Sequence, residues 1–410
     1  MNDTTLYTQI LGLDKPWNVT DVQLDVLKEE IIVKIEYASS TGLCPTCQKD
    51  CSIHDRRMPR TWRHLDTCQM KTYLTGNLPR VNCSEHGVQT ISVAWAESHS
   101  SFTMLFEAFT IRLLQATANQ SQTCNILRVS RRNIRYIMNK GVKRGLERRK
   151  KINIEYLGID EKSMRKGHTY ITVASDLTSG SVIDVVENRT SEAVNELLTM
   201  LKSTHNCASL KAVSMDMWKA FMNEVNAVFP YADIVHDRFH IAKYLNEAVD
   251  KTRISENRDL VANNDDSLKK SKFLFLKNEE NLTEKQAIRF KTIKESNLKT
   301  SQAWLIKENF KSFFKCTFVN EAKSYFSQWY IDVKESGLTN MIKVAKILKN
   351  HSVGLLNYIK HKISNALAEN LNGQIQKIKT IGRGFYAFKN YRNAILFHLG
   401  KLDMIPHKVY

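Results

Sequence analysis

The rhythm of hydrophobic and polar positions changes several times along this chain, and the changes divide it. Ile31, Val33, Ile35 and Tyr37 alternate with Ile32, Lys34 and Glu36, the two-residue period of a strand with one apolar face. Residues 73–82 read as a second extended stretch, so 1–100 is expected to be a small β-rich module. From Phe102 the period lengthens. Leu105, Phe106, Phe109, Leu113 and Leu114 recur at helical spacing. Two shorter helices are predicted near 121–127 and 131–138, making 101–151 a helical unit. Strand patterns return over 154–160, 170–175 and 182–186. A helix near 191–202, a strand over 210–216, a helix ending at Phe229 and a strand over 233–236 complete a mixed α/β segment, 152–245.

The stretch 246–350 reads as helical. No glycine occurs between Gly180 and Gly337, and no proline between Pro230 and Pro406, so the usual breakers are missing. A last amphipathic helix is predicted over 355–379, within a closing segment 351–410. Its apolar stripe is Leu356, Ile359, Ile363, Leu367, Leu371, Ile375 and Ile378. Asn365, Glu369, Asn372 and Gln376 share another side. The expected fold class is multidomain α+β.

Charge narrows the function. The 410 residues carry 60 Lys+Arg against 42 Asp+Glu, a formal +18, which points to a polyanionic partner, nucleic acid first. Eleven basic residues and one acid, Glu147, lie between Arg128 and Lys151. Hydrophobic residues at 42% are too many for a disordered chain. No apolar run approaches the ~20 residues of a membrane helix, and the first residues lack a secretory pattern. The chain is expected to be cytoplasmic, with no membrane partner.

Eight cysteines in such a chain suggest thiols or metal rather than disulfides. Cys44-x2-Cys47 and Cys83-x2-His86 each carry two ligands at knuckle spacing, and together they suit a tetrahedral, structural Zn²⁺. Thirty-five residues separate the pairs, and reduced buried cysteines with a surface histidine would give the same spacing. Cys51 and Cys68 are spare thiols. Residues 123–138 have the layout of a helix-turn-helix. Cys124 is small where two helices approach, and Val129, Ile134 and Ile137 are candidate buried positions. Ser130 can cap a recognition helix opening on Arg131, Arg132 and Arg135. Arg128 stands where such turns often carry glycine, and an ordinary helical hairpin with a basic face is the alternative.

The acids at element ends carry the chemistry. Asp160 ends the first α/β strand and Asp216 the fourth, strands that are neighbours in a ribonuclease-H-like sheet. Glu369 lies on the last helix. Two sheet-end carboxylates and one helix carboxylate are hard oxygen ligands of the kind two Mg²⁺ ions need, about 4 Å apart, for in-line phosphoryl transfer. Glu161, Asp176 and Asp184 flank the same strands and are rival ligands or plain surface charge.

Several blocks resemble the signatures of bacterial insertion-sequence transposases of the IS-L-three family: Gly158-Ile-Asp160-Glu-Lys-Ser, Ser214-Met-Asp216-Met-Trp, His236-Asp237-Arg-Phe-His240, the run Asn365 to Asn372 around Glu369, and Arg383-Gly384-Phe385 with Phe388 and Arg392. The likeness spans nearly the whole chain. It implies a zinc-binding N-terminus, a helix-turn-helix, and a ribonuclease-H-like DDE catalytic domain interrupted by an all-helical insertion. It also implies a metal-binding triad of Asp160, Asp216 and Glu369 with two Mg²⁺ or Mn²⁺, and double-stranded DNA partners: terminal inverted repeats and target DNA. Arg383 joins the DNA-binding residues, and Asp237 and His240 resemble an active-site support element. Joining two ends implies a homodimer or higher oligomer. Two rivals have distinct signatures. A DNA-binding regulator with a degenerate catalytic domain would not nick DNA, and a nuclease of the same fold would cut without joining.

Overall fold

The computed structural model describes residues 3–165, 169–277, 281–296, 298–363 and 366–406. These divide into two compact units: residues 1–149 with 402–410, and residues 150–401.

The first unit opens with α1 (Asp3–Ile10) and continues through β1 (Trp17–Asp25), β2 (Glu30–Tyr37), β3 (Thr41–Leu43), β4 (Asp50–Arg56), β5 (Arg60–Arg63), β6 (Lys71–Gly76), β7 (Pro79–Cys83) and β8 (Gly87–Thr90). Two four-stranded sheets form, in the orders β1-β2-β6-β5 and β3-β4-β7-β8. The alternation in β2 does what its period requires: Ile31, Val33, Ile35 and Tyr37 are buried. The stretch read as one strand over 73–82 is two, β6 and β7, in different sheets. The turn between them follows Gly76, where a Cβ would strike the Ile35 carbonyl at 2.5 Å. Trp17, Trp62 and Trp95 meet edge to face in the core.

Three helices follow: α2 (Met104–Thr117), α3 (Gln120–Leu127) and α4 (Arg131–Arg148). The buried face of α2 is Phe106, Ala108, Thr110, Ile111 and Leu114 with Glu107, whereas Phe109, expected inside, is 46% exposed. Helix α4 runs ten residues beyond its predicted end at 138, and Gly141 and Gly145 explain why. The chain end returns to this unit and packs there, so that a Cβ on Gly145 would meet the Leu402 side chain at 2.6 Å. Arg144 donates to the Met404 carbonyl and pairs with Glu97 and the buried Glu107. The closing segment expected as 351–410 is therefore divided between the units.

The second unit is built on β9 (Tyr156–Arg165), β10 (Thr169–Asp176), β11 (Ser181–Glu187), α5 (Ser191–Thr204), β12 (Ala212–Met215), α6 (Lys219–Val228) and β13 (Asp233–His236). The sheet order is β11-β10-β9-β12-β13. The first three strands are antiparallel, and β12 runs parallel to both β9 and β13. Helices α5 and α6 bury Val194, Leu197, Leu198, Leu201, Phe221 and Val225 against Leu157, Ile159 and Val213.

Helices α7 (Arg238–Ala262), α8 (Lys272–Leu276), α9 (Glu284–Glu295), α10 (Lys299–Phe310), α11 (Val319–Glu335), α12 (Thr339–Asn350) and α13 (Ser352–His361) follow, with a 3₁₀ turn over Lys311–Lys315. They share an aromatic core that includes Phe275, Phe290, Trp304, Phe310, Phe313 and Trp329. No described helix is long and apolar enough to cross a membrane.

The single helix predicted over 355–379 is two elements, α13 and α14 (Ala366–Ile381), before α15 (Phe388–Leu399). Lys362 takes a left-handed backbone, φ 46°, and caps α13. The apolar stripe ran unbroken because each half faces a core of its own. Asn365 lies outside the described residues. Helix α13 sits on β13, where Asn357 donates to the Ile234 carbonyl at 2.9 Å, and Gly354 lies against the ring of the buried His236. A Cβ there would land on the imidazole, so Gly354→Ala is expected to lower stability by about 1–3 kcal/mol through overpacking. A urea titration of the variant checks this.

Candidate functional site

Three constellations were expected, and each has a definite geometry. The first lies at two hairpin ends. Cys44 and Cys47 follow β3, Cys83 closes β7, and His86 sits in the turn before β8. Because β4 pairs with β7, the thirty-five-residue gap closes in space. One ligand atom from each of the four residues lies within 4.8 Å of the others. Cys47 Sγ is 3.6 Å from Cys83 Sγ, and His86 Nδ1 is 3.6 Å from Cys83 Sγ and 3.9 Å from Cys44 Sγ. Tetrahedral ligands with bonds of 2.3 Å are about 3.8 Å apart, so the set has the dimensions of a four-coordinate site with no open position. The His86 ring beside Cys83 draws its thiol down to about 6, which favours the metal-binding thiolate. Cys51 and Cys68 are outside the set.

The second is the α3–α4 corner. Asn119 caps α3, accepting from the Ser121 and Gln122 amides, and Ser130 caps α4, accepting from Asn133 at 3.2 Å. Between them Arg128 takes φ 53°, the conformation glycine adopts freely. Its guanidinium compensates by binding Asp66 Oδ2 at 2.6 Å, Glu29 Oε2 at 3.1 Å and the Gln69 carbonyl. Ile134, Ile137 and Met138 are buried and Val129 is half-buried. Arg131, Arg132 and Arg135 are all exposed, and Arg131 reaches Ser121 Oγ at 3.1 Å.

The third is a cleft at one end of the five-stranded sheet. Ser214 pairs with Gly158 where β12 runs parallel to β9. Asp160 and Asp216 each lie two residues beyond, and a period of two returns both to one face. They line a narrow cleft with Asp237, His240, Ala368, Leu371, Asn372 and Ile375. Its free volume is about 20 Å³, room for roughly one water-sized group. Helix α14 therefore lies across the cleft. Glu369 is exposed on the same turn as Ala368 and is not among the lining residues.

Each carboxylate in the cleft is compensated. Asp160 Oδ2 accepts from Asn372 Nδ2 at 2.6 Å and pairs with Lys162 at 2.9 Å, and Asp216 Oδ2 lies 3.3 Å from His240 Nδ1. Asp237 caps α7, accepting from the Phe239 amide at 2.7 Å. This explains the Asp237-x-x-His240 spacing. The cap starts the helix, and one turn on, the imidazole meets Asp216. Burial raises the Asp237 carboxyl above its ordinary range, and the charges of Asp160 and Glu369 push it the same way. His236, just before it, is buried and held down to about 4 by burial, so it is neutral.

The rival acids have other occupations. Glu161 points away from Asp160 and binds Arg189 with both oxygens at 3.2 Å. Asp176 is 3% exposed and accepts from the Thr178 and Ser179 amides. Asp184 holds Arg392 in a two-point pair at 2.7 and 2.8 Å. Arg383 is exposed in the turn after α14, at φ 52°. Lys162 and Asn372 were not anticipated as partners of Asp160. Both were signalled by spacing: Lys162 two residues on along a strand, and Asn372 three on from Glu369 along a helix.

A sequence profile described as "Transposase", of the ISL3-type DDE class, matches residues 157–395. One described as "zinc-finger of transposase IS204/IS1001/IS1096/IS1165" matches residues 40–86. The chain is similar to the transposase for insertion sequence element IS1557 of Mycobacterium tuberculosis, in strains CDC 1551 and H37Rv. The identity is 24% over 416 residues, covering 94% of this chain and 93% of the relative. It is also similar to the transposase for insertion sequence element IS1001 of Bordetella parapertussis, 26% identical over 367 residues, with 86% and 88% covered.

Proposed function

We infer that this chain, which belongs to the ISL3 family of insertion-sequence transposases, binds the terminal inverted repeats of its element and catalyses metal-dependent strand cleavage and strand transfer there. The observation that carries the reading is the register match of Asp160 and Asp216 on neighbouring parallel strands, with the Glu369 helix laid across the same cleft. The sheet order, three antiparallel strands followed by two parallel ones, supports reading this part as ribonuclease-H-like. On this reading 152–245 and 351–401 supply the catalytic parts and 246–350 the insertion, while 1–100 is the zinc module and 101–151, with the chain end from 402 packed in the same unit, the helix-turn-helix.

The donors suit divalent cations in kind: they are hard carboxylate oxygens, and Asp160 and Asp216 line one cleft, each facing a cation or an imidazole. Asp160, Asp216 and Glu369 would hold Mg²⁺ or Mn²⁺, two per site. When bound, such ions lower the pKa of an attacking hydroxyl or water and neutralise charge on the leaving oxygen. The chain's own residues do the rest. Lys162 and Asn372 fix the Asp160 carboxylate, and His240 orients that of Asp216. Water attacks the phosphorus at the element's end and the 3′ oxygen leaves. The freed 3′-hydroxyl then attacks a target phosphodiester, forming the new ester bond as the target's own 3′ oxygen leaves with a proton. No serine or tyrosine nucleophile is needed. Zn²⁺ at Cys44, Cys47, Cys83 and His86 is structural, and joining two ends calls for at least a dimer on DNA.

Nicking of DNA carrying the element's own ends, with and without Mg²⁺, tests this reading. Metal-dependent cuts at the ends are expected, and an end complex that is never cut would favour a regulator. Glu161→Gln should keep cleavage within a few-fold of wild type, because that side chain faces Arg189. A Glu161→Gln protein with no cleavage would put the wrong acid in the site. Arg131, Arg132 and Arg135 are proposed to read the ends. Each base-reading arginine changed to alanine should cost about 1–3 kcal/mol and relax preference at its base pair. A contact to phosphate alone should weaken all sequences equally and flatten the salt dependence. Binding isotherms at several salt concentrations separate the two.

A further inference from the structure

The first turn of α7 presents an aromatic ring to solvent beside the carboxylate cleft. Phe239 is 57% exposed. Its ring stands edge-on to that of His240 at 5.7 Å, and His240 in turn meets Asp216. Those two contacts leave the phenyl within reach of a nucleotide adjoining any phosphate held at the cleft. The packing of α7 does not account for the exposure. Its buried face is Ile241, Leu245, Ala248, Val249 and Thr252, and Phe239 lies off it. The hydrogen bond from the Phe239 amide to Asp237 fixes the backbone from which the ring projects.

The surroundings say what the ring faces. Arg238 is exposed, its guanidinium resting 4.9 Å from the centre of the Phe314 ring. Lys243 is exposed one turn on, at the i+4 position from Phe239. An apolar flat face flanked by two cations matches a polymer of negative charge with flat faces of its own. Base–aromatic stacking beside phosphate-tracking cations is how nucleic acid strands are held in the absence of pairing. We propose that Phe239 is a substrate-stacking residue: its ring takes the nucleobase next to the scissile phosphate, splayed from its partner, with Lys243 and Arg238 on the flanking phosphates. The proposal rests on the transposase reading above and adds to it a contact with an unpaired base.

A thermodynamic cycle tests it without any chemistry. Full-length protein is titrated, with no Mg²⁺ or Mn²⁺ added and no chelator, with DNA carrying the element's end, either intact or with a single abasic site stepped along each strand near the cut. For wild type, removing the base beside the scissile phosphate should weaken binding on the order of tenfold, the size of one stacking contact. Phe239→Ala should weaken intact DNA by a similar factor and be indifferent to the abasic site at that position. It should remain as sensitive as wild type elsewhere. Phe239→Leu, which keeps the bulk but not the π face, should behave like the alanine variant, and Phe239→Trp like wild type. The side chain is exposed, so melting temperatures should be unchanged, and the leucine variant carries the test if alanine perturbs the helix. Abasic and Phe239 penalties that multiply independently at every position, with the end complex intact, would overturn the stacking alone. A wild-type protein that does not prefer element ends to other DNA would overturn the transposase reading and the proposal with it.

Discussion

Asp160→Asn and Asp216→Asn should each abolish nicking and strand transfer, by about 10⁴-fold or more, while end complexes form as in wild type. The geometry separates the two effects. Asp160 and Asp216 lie on one face of adjacent parallel strands and line one cleft, and as anions they add no attraction for a phosphate backbone, so DNA affinity is not expected to depend on them. Their folding role is modest as well. Both are partly exposed, at 23% and 34%, and each faces one cationic or titratable partner, a setting in which ion pairs contribute little. The amide variants keep an acceptor for Asn372 and His240, so melting should move by no more than a couple of degrees. A variant that lost end binding along with cleavage would mean that the two carboxylates hold the fold rather than the chemistry.

Loss of the Cys44–Cys47–Cys83–His86 metal should unfold the β module. The four side chains terminate two hairpins of one small sheet, and three thiols and an imidazole packed within 4.8 Å have little reason to stay together without an ion. Structural zinc contributes apparent free energies on the order of 10 kcal/mol in small domains, more than most whole domains have to spare. Purified protein should contain about one zinc per chain. Cys83→Ser or a strong chelator should remove both the metal and the protection of strands β3, β4, β7 and β8 from hydrogen exchange. Exchange in β9 to β13 should be unchanged, because those strands belong to the other compact unit. A zinc-free N-terminus with protected strands would contradict this.

Much of the arrangement was legible before any coordinates, and the parts that were not share a cause. Alternation identified β2, because a strand buried on one side must repeat every two residues; it put both Asp160 and Asp216 at strand ends, but only Asp216, just past β12, is at one, since β9 runs on through Asp160 to Arg165. The knuckle spacing brought out the four candidate ligands, although only the pairing of β4 with β7 closes the gap between them. What periodicity cannot see is a change of partner along an unbroken pattern. Ile359 packs into the helical core and Ile375 lines the carboxylate cleft, yet their spacing continues one stripe, and the break at Lys362 is made by a residue with no turn preference. Residues 73–82 behaved likewise, passing from one sheet to another at Gly76. The return of Leu402 and Met404 to α4 was signalled only by Gly141 and Gly145, a pair four apart that leaves room for another chain segment. Glu161, Asp176 and Asp184 could not be told from metal ligands in the sequence. Their partners, Arg189, a turn backbone and Arg392, are set by long-range packing.

The most direct measurement is the joining reaction itself. Purified protein is incubated with DNA ending in the element's own repeat, a supercoiled target and Mg²⁺, and the products are examined for end DNA covalently joined to target, with Glu369→Gln run beside wild type. Joined products from wild type, and an end complex with neither cuts nor joints from Glu369→Gln, are expected. Cuts without joints from wild type would reduce the protein to a nuclease, and joints from Glu369→Gln at the wild-type rate would leave the proposed metal site without its third carboxylate.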